Sequence, residues 1–163
     1  MRYGVSSFDQ IKDLSGLEML RAMIAGELPA APIAEPLNFR LVEVEKGRAV
    51  FEGTPAPSLL NPLGAVHGGW ALTLIDSACG CAVHTELDAG TGYTTVETKV
   101  NFTRPIAPDG GPVRCEGRVL SRGRQIATAE AFLRSAEGKL LAHGTSTLIL
   151  LPPNSHPDES RDR

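Results

Sequence analysis

Most of the side chains in this sequence that could perform chemistry lie between Asn61 and Asp76, in the run Asn-Pro-Leu-Gly-Ala-Val-His-Gly-Gly-Trp-Ala-Leu-Thr-Leu-Ile-Asp. A loop carrying Asn61 and Gly64 runs into His67-Gly68-Gly69, and helical periodicity begins at once. Two glycines at a helix start leave backbone N–H groups uncovered, where the helix dipole favours negative charge. Asp76, nine residues beyond His67, is the only carboxylate between Glu52 and Glu86. A donor for a developing oxyanion and a lone acid on one helix suit acyl transfer.

The surroundings of Asp76 separate it from an ordinary solvated helix acid. Ile75 before it is apolar, Ser-Ala-Cys-Gly-Cys-Ala after it is a run of small residues, and no basic residue stands at ±3 or ±4 to pair with it. Gly69, Thr73 and Gly80 share its side of the helix and leave room for a ligand. Gly68 is the natural oxyanion donor, because glycine lets a carbonyl approach the backbone closely. Gly68 and Asp76 are separated by ~12 Å of helix rise, too far for both to reach one carbonyl group. A two-fold dimer resolves this, with Gly68 of one subunit facing Asp76 of the other.

These residues, with the later segment Thr95-Val-Glu-Thr-Lys-Val-Asn-Phe-Thr-Arg-Pro105, resemble the signature of PaaI-type acyl-CoA thioesterases of the hotdog-fold superfamily, over roughly residues 33–151. The resemblance implies hydrolysis of an acyl-CoA, aryl or short to medium in chain length, without a cofactor. It implies that Asn61, His67 and Gly68 shape and polarise the carbonyl pocket, with Gly69 beside them, and that Asp76 either attacks the acyl carbon or activates water. Thr95 matches a strand position where relatives carry a Ser or Thr supporting the acid, and Thr94 could substitute if a bulge shifts the register. Arg104, Arg122 and Arg124 carry the planar donor fork that suits coenzyme A phosphates, although solvated surface charge is the ordinary role of such residues. Relatives are homodimers, often paired into homotetramers. Two other readings share the fold: a dehydratase or hydratase, which pairs His and carboxylate differently, and a non-catalytic acyl-CoA-binding module, against which the acid at Asp76 weighs.

The elements that must position these residues follow from periodicity. Leu17, Leu20, Met23 and Ile24 form a stripe that predicts a short amphipathic helix over 14–25, followed by an extended connector at Pro29, Pro32 and Pro36. Strands are expected over 37–45 and 48–54 around a Lys46-Gly47 turn, and a long helix from about Val66 to Glu86. Beyond the Gly90/Gly92 turn, Val96, Val100 and Phe102 share one face and Glu97, Lys99 and Asn101 the other. Strands near 112–120, 125–135 and 139–151, joined by Ser121-Arg-Gly-Arg and Ala136-Glu-Gly, complete an antiparallel meander. The fold class is α+β: a long central helix wrapped by a curved antiparallel sheet, as the hotdog resemblance implies, with a short N-terminal helix. One domain spans 1–151, with an N-terminal extension over about 1–32 and a disordered polar tail over 152–163.

Composition narrows the partners. The 163 residues are 42% hydrophobic and 21% charged, with a net charge of −3, which gives no footprint for nucleic acid or an anionic membrane. No apolar run reaches ~18 residues, so no membrane span is expected, and no secretory pattern opens the chain. A cytoplasmic location follows. Cys79, Cys81 and Cys115 and the four histidines show no metal-ligand spacing; small buried thiols are expected, and no metal. His84 and His143 are expected to be structural or solvent-facing. No serine lies in a Gly-x-Ser-x-Gly elbow, which excludes the usual serine-hydrolase nucleophile.

Overall fold

The computed structural model describes residues 1–153, so the expected disordered tail lies, but for its first two positions, outside the described residues. The order is α1 (Phe8–Ile11), α2 (Gly16–Ala25), β1 (Phe39–Glu45), β2 (Arg48–Gly53), α3 (Gly68–His84), β3 (Gly92–Phe102), β4 (Val113–Arg122), β5 (Ile126–Arg134) and β6 (Leu140–Leu151). The six strands form one antiparallel sheet in the order β1-β2-β4-β5-β6-β3. The sheet curves around α3, which packs against every strand. This is the α+β hotdog architecture.

Helix α3 is buried because its apolar residues recur at helical spacing. Trp70, Ala71, Leu74, Ile75, Ala78, Cys79, Ala82 and Val83 are all buried, and most of them face the sheet's inward-pointing alanines and leucines. Two contacts fix how the helix sits. The Trp70 indole N–H donates to the Leu37 carbonyl at 2.7 Å, tying the start of α3 to the chain entering β1. At its other end the Thr85 hydroxyl accepts from the Gly47 N–H at 2.7 Å, holding the β1–β2 turn, where Gly47 has φ +76°. Gly117 on β4 marks the closest approach of sheet to helix. A Cβ there would collide with the Ala78 carbonyl and stand 2.9 Å from the Cys79 nitrogen.

Two expectations need correction. The α2 face that packs inward is Gly16, Met19, Leu20 and Met23, while Ile24 is exposed. The cause is the close seating of Gly16 against the His84 carbonyl, with the Gly16 N–H donating to the Leu87 carbonyl at 2.9 Å, which keeps Leu20 inward and rotates Ile24 out of the packed face. On β3, Val96 and Phe102 do not join Val100 in the core; each is 57% exposed. A bulge between Thr95 and Glu97 shifts the alternation, so that Val96 falls on the face opposite Val100. Phe102 keeps the parity of Val100 but lies over Gly68 at the end of the strand, with its ring largely exposed. The four-residue helix α1 has no counterpart in the periodicity reading.

Gly117→Ala should force the helix and sheet apart, at a cost of about 1–3 kcal/mol for overpacking, and lower Tm by roughly 2–12 °C. Gly92→Ala is the control, since its Cβ would meet nothing nearer than 3.8 Å. Equal Tm values for the two variants in thermal circular dichroism would show that α3 is not held as tightly as described.

Candidate active site

The loop before α3 is organised by Asn61. Its side-chain oxygen accepts from the N–H groups of Leu63 at 2.9 Å and Ala65 at 3.1 Å, and its backbone N–H donates to the Ala65 carbonyl at 2.7 Å. Gly64, at φ +81°, closes this turn. The oxygen of Asn61 therefore builds the loop, which leaves only its amide N–H groups to act as donors. His67 then caps α3: its Nδ1 accepts from the Gly69 N–H at 2.9 Å. An accepting Nδ1 places the ring proton on Nε2, so His67 presents an N–H donor beyond the cap. The Gly69 N–H is thereby occupied, whereas the Gly68 N–H, at the first helical position, has no helical acceptor available to it. The Phe102 ring lies over Gly68, its edge 3.1 Å from where a Cβ would stand. Glycine lets the ring sit this close; a Cβ would push it back by a few tenths of an ångström.

Asp76 sits two turns further along α3, half-buried, against β3. Its Oδ1 accepts two hydroxyl donors, Thr95 at 3.1 Å and Thr98 at 3.0 Å. Thr95 was expected; Thr98 was not, and Thr94 faces away from the helix. The bulge after Thr95 changes the spacing of inward positions from two to three, which brings Thr98 beside Thr95. Behind Thr98 stands Ser146 on β6, 1% exposed, with its Oγ 2.9 Å from Thr98 Oγ1 and 3.0 Å from the Glu97 carbonyl. Proton counting orients this chain. Thr98 donates to the carboxylate, the stronger acceptor, while the Ser146 hydroxyl donates to the Glu97 carbonyl, which can only accept, and packs against Thr98 Oγ1.

Asp76 Oδ2 has no hydrogen-bond partner among the described residues. Asp76 lines a cavity of about 200 Å³ together with Thr95, Tyr93, Phe39, Phe51 and Ala34. Gly80 makes room for the Tyr93 ring, whose hydroxyl is 2.8 Å from where a Cβ would be. The nearby thiols are inert. Burial, aided by the Asp76 charge, pushes Cys79 up to about 12, and burial holds Cys81 at about 12 despite an opposing hydrogen bond from Tyr93. Among the described residues no three His, Cys, Asp or Glu side chains come together as a metal-holding group.

Within one chain the structure gathers Asp76 with Thr95, and separately Asn61, His67, Gly68 and Gly69 at the start of α3. It does not bring these two groups together. The arginines are dispersed. Arg104, two residues after Phe102, donates to the Leu140 carbonyl at 2.9 Å. Arg122 lines a surface groove with Lys46 and Glu86, and Arg124 is exposed in the β4–β5 turn. The arginine that does border the Asp76 cavity is Arg40, paired with Glu52 at 2.8 Å.

Residues 63–142 match the family model described as the thioesterase superfamily. A Saccharolobus solfataricus protein named as a presumed esterase is 34% identical over 115 residues, 71% of this chain and 80% of that protein. Human acyl-coenzyme A thioesterase 13 is 28% identical over 108 residues, 66% of this chain and 76% of its own. Among solved structures, a phenylacetic acid degradation-related protein from Ralstonia eutropha JMP134, described as a presumed thioesterase, has a TM-score of 0.72 at 28% identity, covering 80% of this chain and 98% of that one.

The capping role of His67 can be separated from any chemistry. His67→Ala should lower unfolding free energy by about 1 kcal/mol, as loss of an N-cap does, while His67→Asn, a strong capping residue, should retain most of it. Chemical denaturation of the three proteins measures this. Equal losses in both variants would show that the Nδ1 contact does not cap the helix.

Proposed function

The chain belongs to the thioesterase superfamily, whose reaction is thioester hydrolysis, and within it we propose that the chain hydrolyses acyl-CoA thioesters at a site shared by two copies of itself. The observation that carries this reading is the division of labour on Asp76, which lines the cavity: Oδ1 is held by Thr95 and Thr98, while Oδ2 has no partner among the described residues. A carboxylate so held is oriented and remains available as a base.

In this reading the Gly68 N–H, the His67 Nε2–H and the Asn61 amide of one subunit bind the thioester oxygen. Asp76 of the other subunit accepts a proton from water as the water oxygen bonds to the acyl carbon. The negative charge forming on the carbonyl oxygen falls at the N-terminus of α3. As the tetrahedral intermediate collapses the C–S bond breaks, and the proton held by Asp76 passes to the departing CoA sulfur. The free acid leaves. Direct attack by Asp76 is the competing route; a single turnover in ¹⁸O water would then label the Asp76 carboxylate, whereas our reading places the label in the released acid alone.

Strand β3 supports the dimer. It is an eleven-residue edge, and both of its exposed apolar residues, Val96 and Phe102, lie on it. Antiparallel pairing of two such edges, centred near Lys99, would set Phe102 of one copy opposite Val96 of the other. Because Phe102 covers Gly68 while Thr95 and Thr98 flank Val96, that pairing carries the start of one α3 toward Asp76 of the second copy. Arg104 lies close to Phe102 in sequence, so it is the first of the three arginines we assign to the CoA phosphates. Pairing of dimers into a tetramer fits the reading but is not required by the site.

For the acyl group, a cavity of about 150 Å³ can hold benzene. The Asp76 cavity, at about 200 Å³, therefore suits an aryl-acyl group or a short to medium chain. The description of the Ralstonia protein, tied to phenylacetic acid degradation, makes phenylacetyl-CoA a first substrate to try.

Thiol release from a panel of CoA thioesters tests the activity. Asp76→Asn should lower turnover at least ~100-fold with the fold intact. Thr98→Val, which removes one hydrogen bond to a charged group, should lower it about tenfold, and should cost nothing further in the Asp76→Asn background. More than a tenth of wild-type turnover remaining in Asp76→Asn would remove Asp76 from the mechanism.

The shared site has its own test. An Asn61→Ala/His67→Ala subunit and an Asp76→Asn subunit form dead homodimers. Random mixing makes half the dimers hybrid, and each hybrid holds one intact site of two, so activity should recover to about a quarter of wild type. No recovery from a purified, differently tagged hybrid would place the whole site within one subunit.

A further inference from the structure

A second apolar space lies beside the Asp76 cavity, and the chemistry above makes no use of it. The two spaces share a wall made by Met23, Ala31, Cys81 and Tyr93. Beyond that wall is a half-open apolar chamber of about 380 Å³, lined by α1 and α2 through Ile11, Leu14, Met19 and Leu20, and by the end of α3 through His84. Its chemistry is hydrocarbon-like. Lys12 is the one lining residue that carries a full charge, and it is paired with Asp9 at 3.0 Å. Burial lowers the pKa of His84, which favours the neutral ring, and its Nδ1 has no partner. Nothing there offers a carboxylate or a phosphate a counter-charge.

We propose that this chamber is the distal half of the acyl site and takes the far end of a long, unbranched acyl chain. The inference rests on reading the Asp76 cavity as the proximal acyl site. Benzene in about 150 Å³ corresponds to ~25 Å³ per carbon, so the proximal cavity of about 200 Å³ fills after about eight carbons. The next carbons must then meet the wall. Met23 is its adaptable member, since a thioether side chain with three rotatable bonds repacks easily, and its displacement joins the two spaces. A straight chain can pass such an opening; a ring or branch at that depth cannot. Helices α1 and α2 lie outside the residues matched by the family model, so that side of the space is built by the N-terminal extension and the other side by the end of α3 and the start of β3.

The experiment measures kcat/KM for straight-chain CoA thioesters from butyryl to hexadecanoyl, below micelle-forming concentrations. Tetradecanoyl-CoA should be cleaved at least as efficiently as hexanoyl-CoA. Met19→Trp, which fills the distal chamber alone, should lower the tetradecanoyl-to-hexanoyl ratio at least ~10-fold. Ile11→Trp enters the same space from α1 and should act likewise. A wild-type profile ending near eight carbons, or folded variants with an unchanged ratio, would overturn the distal chamber and leave the acyl-CoA reading standing. If neither variant folds, the wild-type profile decides alone. If no thioester is cleaved, it is the acyl-CoA reading that fails. Titration calorimetry with tetradecanoic acid then decides the chamber: saturable binding weakened by Met19→Trp upholds it, and no binding overturns it.

Discussion

Everything about this site depends on placing one carboxylate on a helix that is otherwise a core element. Helix α3 threads the hollow of the sheet, and a carboxylate buried there without partners would be strongly disfavoured. The fold meets this by bringing hydroxyls rather than cations to Asp76. Thr95 and Thr98 both donate to Oδ1, and Ser146 supports Thr98 from the next strand. An arginine in their place would also have satisfied the charge, but a salt bridge would engage both oxygens and compete with any reaction at the carboxylate. Two hydroxyls on one oxygen leave the other without a partner among the described residues.

The bulge in β3 makes that arrangement possible. A regular strand would present Thr95 and Glu97 on the helix side, setting a second carboxylate near Asp76. The extra residue, Val96, sends Glu97 outward and Thr98 inward. Val96 itself stays exposed on the sheet edge and has no role in the monomer's core. A single local irregularity thus supplies a donor and removes a like charge. Those two effects come from different requirements, and no side-chain substitution in a regular strand would provide both.

Much of this was legible in the sequence, and the misses share a cause. Helix α3 was found because its apolar residues repeat at 3.6 and two glycines follow a capping-competent residue at its start. Asp76 stood out because it is a lone acid among apolar and small neighbours. The sheet followed from alternation. Thr98 was missed because alternation has no way to signal an inserted residue; the only available hint was that threonines stood at both Thr95 and Thr98. Gly16 misled for a similar reason: periodicity ranks side chains by apolarity, so it favoured Ile24 over a glycine whose absent side chain permits the contact. The side-chain oxygen of Asn61 also holds its own loop, a backbone partnership that residue type does not reveal. The arginines were chosen for chemistry alone, and only three-dimensional placement distinguishes Arg104 and Arg40 from Arg122 and Arg124.

The two ends of α3 explain why the monomer is incomplete for the chemistry proposed. The free N–H of Gly68 belongs to the helix start, because only the first turn has unsatisfied donors. Asp76 must lie further in, because the hydroxyls that hold it come from the middle of β3. Neither can move toward the other: shortening the helix would bury donors that have no acceptor, and shifting Asp76 back by a turn would lose Thr95 and Thr98. The separation is therefore inherent in building a donor and a base on one helix. In the dimer we propose, an antiparallel partner would resolve this, since a two-fold axis near the middle of β3 would bring the start of one helix alongside the middle of the other. The open edge that would pair is the strand that holds the acid, so in that reading assembly and completion of the site would be one event.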